Sequence, residues 1–170
     1  SSAVYVLNDL HDLEADRAHP KKRERPIAAG VVPERAAWIA FATLGVGALS
    51  GGLAIKWQVA ALIAAYLVLN VAYTLRLKRV AYVDVLCIVA GFELRLLAGA
   101  FAVSVVASTY LVTVTLSLAS FLGFGKRMHE LLQGEHAQKQ RAVLQHYREQ
   151  PLRVLLGVSG LVTVIVYAMA

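Results

Sequence analysis

Apolar residues occupy this chain in long unbroken blocks, and the polar residues are gathered between them. Residues 36–55 carry no charge, and 57–75 form a second block with Trp57 and Tyr73 near its ends, where interfacial aromatics sit. Apolar character then continues from 80 to 124, too long for one crossing of a hydrocarbon core about 30 Å thick. A turn is therefore expected near 103–108, and a last apolar block runs from 154 to 170. The pattern predicts an all-α fold, a polytopic transmembrane helix bundle forming a single domain. It comprises a partial helix over 1–16 and spans near 36–55, 57–75, 81–103, 107–125 and 152–170, joined by polar loops at 17–33, 76–80 and 126–150. Pro33 and Pro151 stand near the starts of the first and last complete spans, where a missing backbone donor costs little. Both ends of the chain are apolar, so a longer protein, incomplete here at both ends, is expected.

Composition agrees: 58% of the 170 residues are hydrophobic and 16% charged, a balance unsuited to a water-facing surface. The net charge of +6 does not indicate nucleic acid, because the cations lie in short segments between apolar blocks and not along one soluble face. Membrane lipid is the expected surroundings. Residues 17–25 hold five Lys or Arg, 76–79 hold three and 126–153 hold six, whereas the turns near Lys56 and Ser104 hold one and none. Basic loops face the cytoplasm, so the three loops that could carry chemistry are expected at the cytoplasmic side of the cell membrane. Residues 127–150 are polar with Leu131, Leu132, Val143, Leu144 and Tyr147 among them, which suits a connecting or interfacial helix. Gly47 and Gly51, and the run Ala98-Gly99-Ala100, let helices approach closely, and a homo-oligomer is permitted. Cys87, the single cysteine, reads as a packing residue.

The sharpest chemical signal is Asn8, Asp9, Asp12 and Asp16, directly after the first apolar segment. At about 100° per residue these four side chains share one stripe of a helix, and Glu14 points the other way. Carboxylates so placed repel one another unless a cation sits among them, and hard oxygen ligands select Mg²⁺, Ca²⁺ or Mn²⁺. Mg²⁺, with positions open to phosphate oxygens, suits the site. Lys21, Lys22, Arg23 and Arg25 follow at once and would form the other half of a site for a metal-bound diphosphate. Asp84, Glu93 and Arg95 interrupt an apolar stretch, where ionisable groups are costly enough to mark function or a buried pair. Lys126 and Arg127 return to the basic side as candidate phosphate ligands. The five histidines have no metal-ligand spacing, and no G-x-x-x-x-G-K, G-x-S-x-G or H-E-x-x-H motif occurs.

Asn8-Asp9-Leu-His-Asp12-Leu-Glu-Ala-Asp16, followed by His19-Pro20 and Lys22 to Pro26, resembles the first Asp-rich motif of the UbiA superfamily of intramembrane prenyltransferases. The resemblance implies a nine-helix bundle, of which this chain runs from the end of the second helix to about the seventh. Members that prenylate aromatic rings carry paired aspartates in the loop matching residues 73–84, but here that loop has only Asp84. Tyr73 to Lys78, Asp84, Glu93-Leu-Arg95 and Gly125-Lys126-Arg127 instead resemble the branch that moves a phosphoribosyl group from phosphoribosyl diphosphate to decaprenyl phosphate, a polyprenyl phosphate, for cell-wall arabinan. The resemblance implies Asn8, Asp9, Asp12 and Asp16 as the Mg²⁺ site, and Asp12, Asp16 and Asp84 as catalytic carboxylates. Lys22, Arg25, Tyr73, Lys78, Lys126 and Arg127 would bind substrate. A prenyl diphosphate transferase acting on an aromatic acceptor is the alternative, and a membrane transporter, whose charges belong at the midplane, is the second.

Overall fold

The computed structural model describes residues 1–133 and 142–169, and every regular element among the described residues is helical. Among the described residues seven α-helices follow one another: α1 (Ser2–His11), α2 (Leu13–Ala18), α3 (Glu34–Ile55), α4 (Trp57–Leu75), α5 (Val83–Ala102), α6 (Thr109–Leu132) and α7 (Glu149–Met169). Three 3-10 turns, Lys22–Glu24, Leu77–Arg79 and Ala142–His146, lie in the connections. The chain forms two compact units, Ser1–Leu75 and Arg76–Ala170.

In the first unit α3 begins after Pro33, whose fixed φ of −60° suits a helix start, with Glu34 in the first turn. It ends where Lys56 turns extended, and α4 begins one residue later. The return is tight because Gly52 has no side chain: a Cβ there would lie 2.8 Å from Ile63 and 3.1 Å from the Ala60 Cα. The first helix, α1, packs on α3 and α4. Leu13, Ile27 and Ala37 bury together and draw the 17–33 loop back over the short helices.

In the second unit α6 packs against both α5 and α7. Val85, Val89, Phe124, Met128, Leu144, Tyr147 and Leu152 form its core. Gly123 is the point of closest approach, since a Cβ there would lie 2.6 Å from Val85 Cγ1. Among the described residues four helices, α3, α4, α5 and α7, are long and apolar enough to cross a membrane. Their outward faces carry Trp38, Leu53, Val68, Leu86, Val158 and Val164, all exposed, as lipid-facing or helix-facing surfaces require.

Three expectations need adjusting. The helix expected over 1–16 is two helices with a junction at Asp12, a residue type that competes with helical backbone. The span expected at 107–125 is part of α6, which continues to Leu132 because Lys126, Arg127, Met128 and Glu130 are good helix formers. That helix is not among the four apolar ones. Thr113, Ser117 and Ser120 lower its hydropathy, and each hydroxyl bonds back to its own helix. The connecting helix expected over 127–150 divides between the end of α6 and a 3-10 turn, and 134–141, including His136, lies outside the described residues.

Candidate functional site

In the first unit α1 presents Asn8 and Asp9, and α2 presents Asp16. Asp12 has φ −97° and ψ 13° at the junction. The Asp12 N–H still donates to the Asn8 carbonyl at 3.0 Å, and the Asp16 N–H to the Asp12 carbonyl at 2.8 Å. The four-residue repeat therefore passes through the junction, and the stripe survives. Asp16 is buried and Glu14 exposed, the division that the helical angles predict.

The basic loop folds back onto this stripe. Arg25 Nη1 donates to Asp9 Oδ1 at 2.7 Å and to Asp16 Oδ2 at 2.9 Å, and Lys22 Nζ lies 3.7 Å from Asp16 Oδ1. The His19 ring places these cations: its Nδ1 accepts from the backbone N–H groups of Lys21 and Lys22 at 3.2 and 3.3 Å, starting the turn that ends at Arg25. Arg17 ties the far side of the loop, donating to the Ala28 carbonyl at 3.4 Å and pairing with Glu34 at 3.7 Å. Asn8 Oδ1 accepts from Thr74 Oγ1 at 3.2 Å; Thr74 is buried at the end of α4, with Tyr73 half-buried beside it.

The fit to a divalent cation can be judged from this geometry. Asp9 and Asp16 aim oxygens at one cationic atom, Arg25 Nη1, which marks where positive charge is held. Hard oxygen ligands converging on one point suit Mg²⁺ or a similar ion. Among the described residues no three acidic, histidine or cysteine side chains converge as a preformed metal site. A cation would take Asp9 and Asp16 first, and Asn8 would join by exchanging Thr74.

The second unit holds a buried polar cluster at the end where α5 starts, α6 stops and α7 starts. Asp84, in the first turn of α5, accepts the N–H of Val85 at 2.9 Å, so the helix N-terminus supports its charge. Tyr147 donates its hydroxyl to the same oxygen, and Arg127 Nε lies 3.4 Å from the other. Arg127 also pairs with Glu130. Asp84 is 0% and Arg127 2% exposed, which removes both from solvent. The Tyr147 oxygen accepts the N–H of Tyr82 at 2.9 Å, and Tyr82 in turn accepts from the Arg148 N–H at 3.4 Å. Tyr82 has φ +66°, a costly conformation for a bulky residue that these contacts hold. Burial, with the hydrogen bond to Asp84, pushes the Tyr147 phenol above its ordinary range.

Residues 1–169 match the UbiA prenyltransferase family. This chain belongs to the UbiA family. It is 37% identical over 174 residues to a decaprenyl-phosphate phosphoribosyltransferase of Mycolicibacterium smegmatis, covering 99% of this chain and 54% of that protein. It is 35% identical to the protein of the same name in Mycobacterium tuberculosis H37Rv, covering 99% and 56%, and 33% identical to the nodulation protein NoeC of Azorhizobium caulinodans, covering 78% and 43%. The chain spans about half the length of the curated relatives it matches.

UbiA membership and the four apolar helices make this an integral membrane protein of a transferase family that generally uses a divalent metal. Of the residues singled out in the sequence, the first unit brings together Asn8, Asp9, Asp16, Lys22 and Arg25, with Asp12 at the junction between them. The second unit brings Asp84 to Arg127 and leaves Lys126 exposed beside them; Lys78 sits half-buried in the turn before α5. Glu93 has both carboxylate oxygens buried without a hydrogen-bond partner among the described residues, and the Arg95 guanidinium lies 4.5 Å above the Phe92 ring. Sequence reasoning missed Thr74, Tyr82, Glu130 and above all Tyr147, noted there only as an apolar position. Its one available signal was a tyrosine two residues before Glu149, just ahead of a span.

Proposed function

We propose that this chain carries the core of a Mg²⁺-dependent transferase that moves phosphoribose from phosphoribosyl diphosphate to a polyprenyl phosphate such as decaprenyl phosphate. The observation that carries the reading is the convergence of Asp9 and Asp16 on one cationic atom, Arg25 Nη1, with Lys22 beside Asp16. Carboxylates that gather a cation, next to guanidinium and ammonium donors, form a seat for a diphosphate. Near-full coverage of this chain by proteins named decaprenyl-phosphate phosphoribosyltransferase supports the choice of donor and acceptor.

When bound, the metal would supply positive charge to the leaving diphosphate. Asp9 and Asp16 would hold that charge in place, with Asn8 and Asp12 offering further oxygens. Lys22 and Arg25 take up the charge that develops as the bond from ribose C1 to the diphosphate oxygen breaks, a stabilisation that grows toward the transition state. The lipid phosphate oxygen then forms the new bond at C1 from the opposite face, and diphosphate departs. A phosphate monoester is already anionic near neutral pH, so this nucleophile needs positioning more than a base. In the first unit Tyr73 neighbours Thr74, the partner of Asn8; within the second, the basic side chains Lys78 and Lys126 suit phosphate contacts and Asp84 fixes Arg127. The three basic loops favour a cytoplasmic site in the cell membrane. A product of this chemistry would feed cell-wall arabinan assembly.

The test is incubation of the full-length protein with phosphoribosyl diphosphate, decaprenyl phosphate and Mg²⁺, with lipid-linked phosphoribose read by mass spectrometry. A parallel donor panel containing prenyl diphosphates and an aromatic acceptor separates the alternative. Turnover of the prenyl donor without the phosphoribosyl one would overturn the proposal.

A further inference from the structure

Tyr147 is the residue through which three chain segments of the second unit meet. Its hydroxyl donates to Asp84 on α5 and accepts the N–H of Tyr82, which precedes α5. Its ring packs against that of Tyr82, tilted by 52° with centroids 4.7 Å apart. Asp84 in turn pairs with Arg127 on the last turns of α6, and Tyr82 takes the Arg148 N–H just before α7. The turn holding Tyr147's neighbours, Ala142–His146, packs against the turn Leu77–Arg79 that carries Lys78.

The pairing of Arg127 changes what this end of the unit offers a ligand. A guanidinium 2% exposed, matched by Asp84 and Glu130, is committed inside the protein. Lys126, one residue earlier, is exposed. The pair between Arg127 and Asp84 is itself imperfect, because Arg127 Nε and Asp84 Oδ2 are buried without a hydrogen bond among the described residues. The Tyr147 hydroxyl, with the Val85 N–H, then holds the carboxylate whose other oxygen faces Arg127 at the end of α6.

We infer that Tyr147 is a positioning residue, whose hydroxyl fixes Asp84 at the α5 start, and through it Arg127 at the α6 end, so that exposed Lys126, not Arg127, meets a phosphate group of a substrate. The inference rests on the phosphate-binding reading above. That phosphate belongs either to the donor diphosphate or to the lipid acceptor, and kinetics separate them.

The experiment compares Tyr147→Phe, Lys126→Ala and the double variant in the full-length protein, with Gln145→Ala on the exposed side of the same turn as a control. Tyr147→Phe keeps the ring and the core and removes only the hydroxyl. The expected result is a KM raised about tenfold for one substrate, the worth of a hydrogen bond to a charged group, with kcat within about twofold. Lys126→Ala raises the same KM, and adding Tyr147→Phe to it changes that KM by less than about threefold, since both act on one contact. A donor KM that moves assigns the diphosphate; an acceptor KM that moves assigns the lipid phosphate.

Neither KM moving, or the two effects multiplying, would overturn the inference and leave the hydroxyl with a packing role. Calorimetric titration with inorganic diphosphate and with farnesyl phosphate, without turnover, reads the same positioning independently of the donor. If the wild type makes no lipid-linked phosphoribose, the proposed reaction fails; weakened binding of one probe by both variants would still uphold the positioning role, and unchanged binding would remove it.

Discussion

Replacing Arg127 by Met should destabilise the protein severely, and replacing Asp84 as well should add little further loss. The two groups lie 3.4 Å apart with almost no solvent exposure. At an effective dielectric of about 20 their gross attraction is about 5 kcal/mol. Most of that offsets the cost of removing both charges from water, so the pair's net contribution is small. Losing one partner is different. With Arg127→Met, Asp84 keeps the Tyr147 hydroxyl and the Val85 N–H but has no counter-charge, and about 3–5 kcal/mol should be lost. Asp84→Asn should cost less, about 2–3 kcal/mol, because Arg127 keeps Glu130 while the amide still accepts from Tyr147. The double variant should be more stable than the sum of the single losses by about 2 kcal/mol. Reversible denaturant unfolding of the full-length protein in detergent micelles, for all four members of the cycle, measures this. Single losses that add to within about 0.5 kcal/mol would refute a direct coupling.

Three further outcomes follow from particular contacts. Arg25→Ala should tighten Mn²⁺ binding about two- to fivefold in an electron paramagnetic resonance titration, because its guanidinium holds the Asp9 and Asp16 oxygens that a cation needs, while the KM for the donor rises; weaker Mn²⁺ binding would remove these carboxylates from the metal site. The stability advantage of the wild type over Tyr147→Phe should be full below pH 10 and shrink as pH rises above it. The sign follows because the folded-state phenol keeps its proton after the unfolded chain has lost it; unfolding midpoints from pH 8 to 11 check it, and a gap that widens refutes it. Gly123→Ala should cost about 1–3 kcal/mol, since its Cβ would meet Val85 Cγ1 at 2.6 Å, and Val85→Ala should restore part of the loss in the same unfolding assay.

The apolar blocks made the long helices legible because lipid demands both a minimum length and uniform composition. The expected spans at 36–55, 57–75 and 81–103 differ from α3, α4 and α5 by at most two residues at any end. Hydropathy says less about where a helix stops once it leaves the apolar zone, so α6 ran past the expected end at 125. The acidic stripe was legible for a related reason: its residues are at most eight apart, and local helical geometry fixes which of them share a face. Arg25's return to Asp9 and Asp16 needed the loop geometry set by His19, which no spacing announces.

The second unit shows where reading by residue type breaks down. Asp84 was assigned to catalysis because a charge in an apolar stretch is costly, and Arg127 to phosphate because it returns to the basic side; the cost is real. Yet a cost can be met by another protein group as well as by a ligand, and only three-dimensional placement says which. Asp84 meets Arg127 and Tyr147 across 43 and 63 residues of chain, with Tyr147 itself counted among the apolar positions. With Arg127 taken up by Asp84 and Glu130, the proposed phosphate contact falls to its exposed neighbour, Lys126. A charge pattern therefore marks the polar end of such a unit more reliably than it divides the work among neighbours, and in the proposal made for 126 and 127 that division turns on a tyrosine hydroxyl.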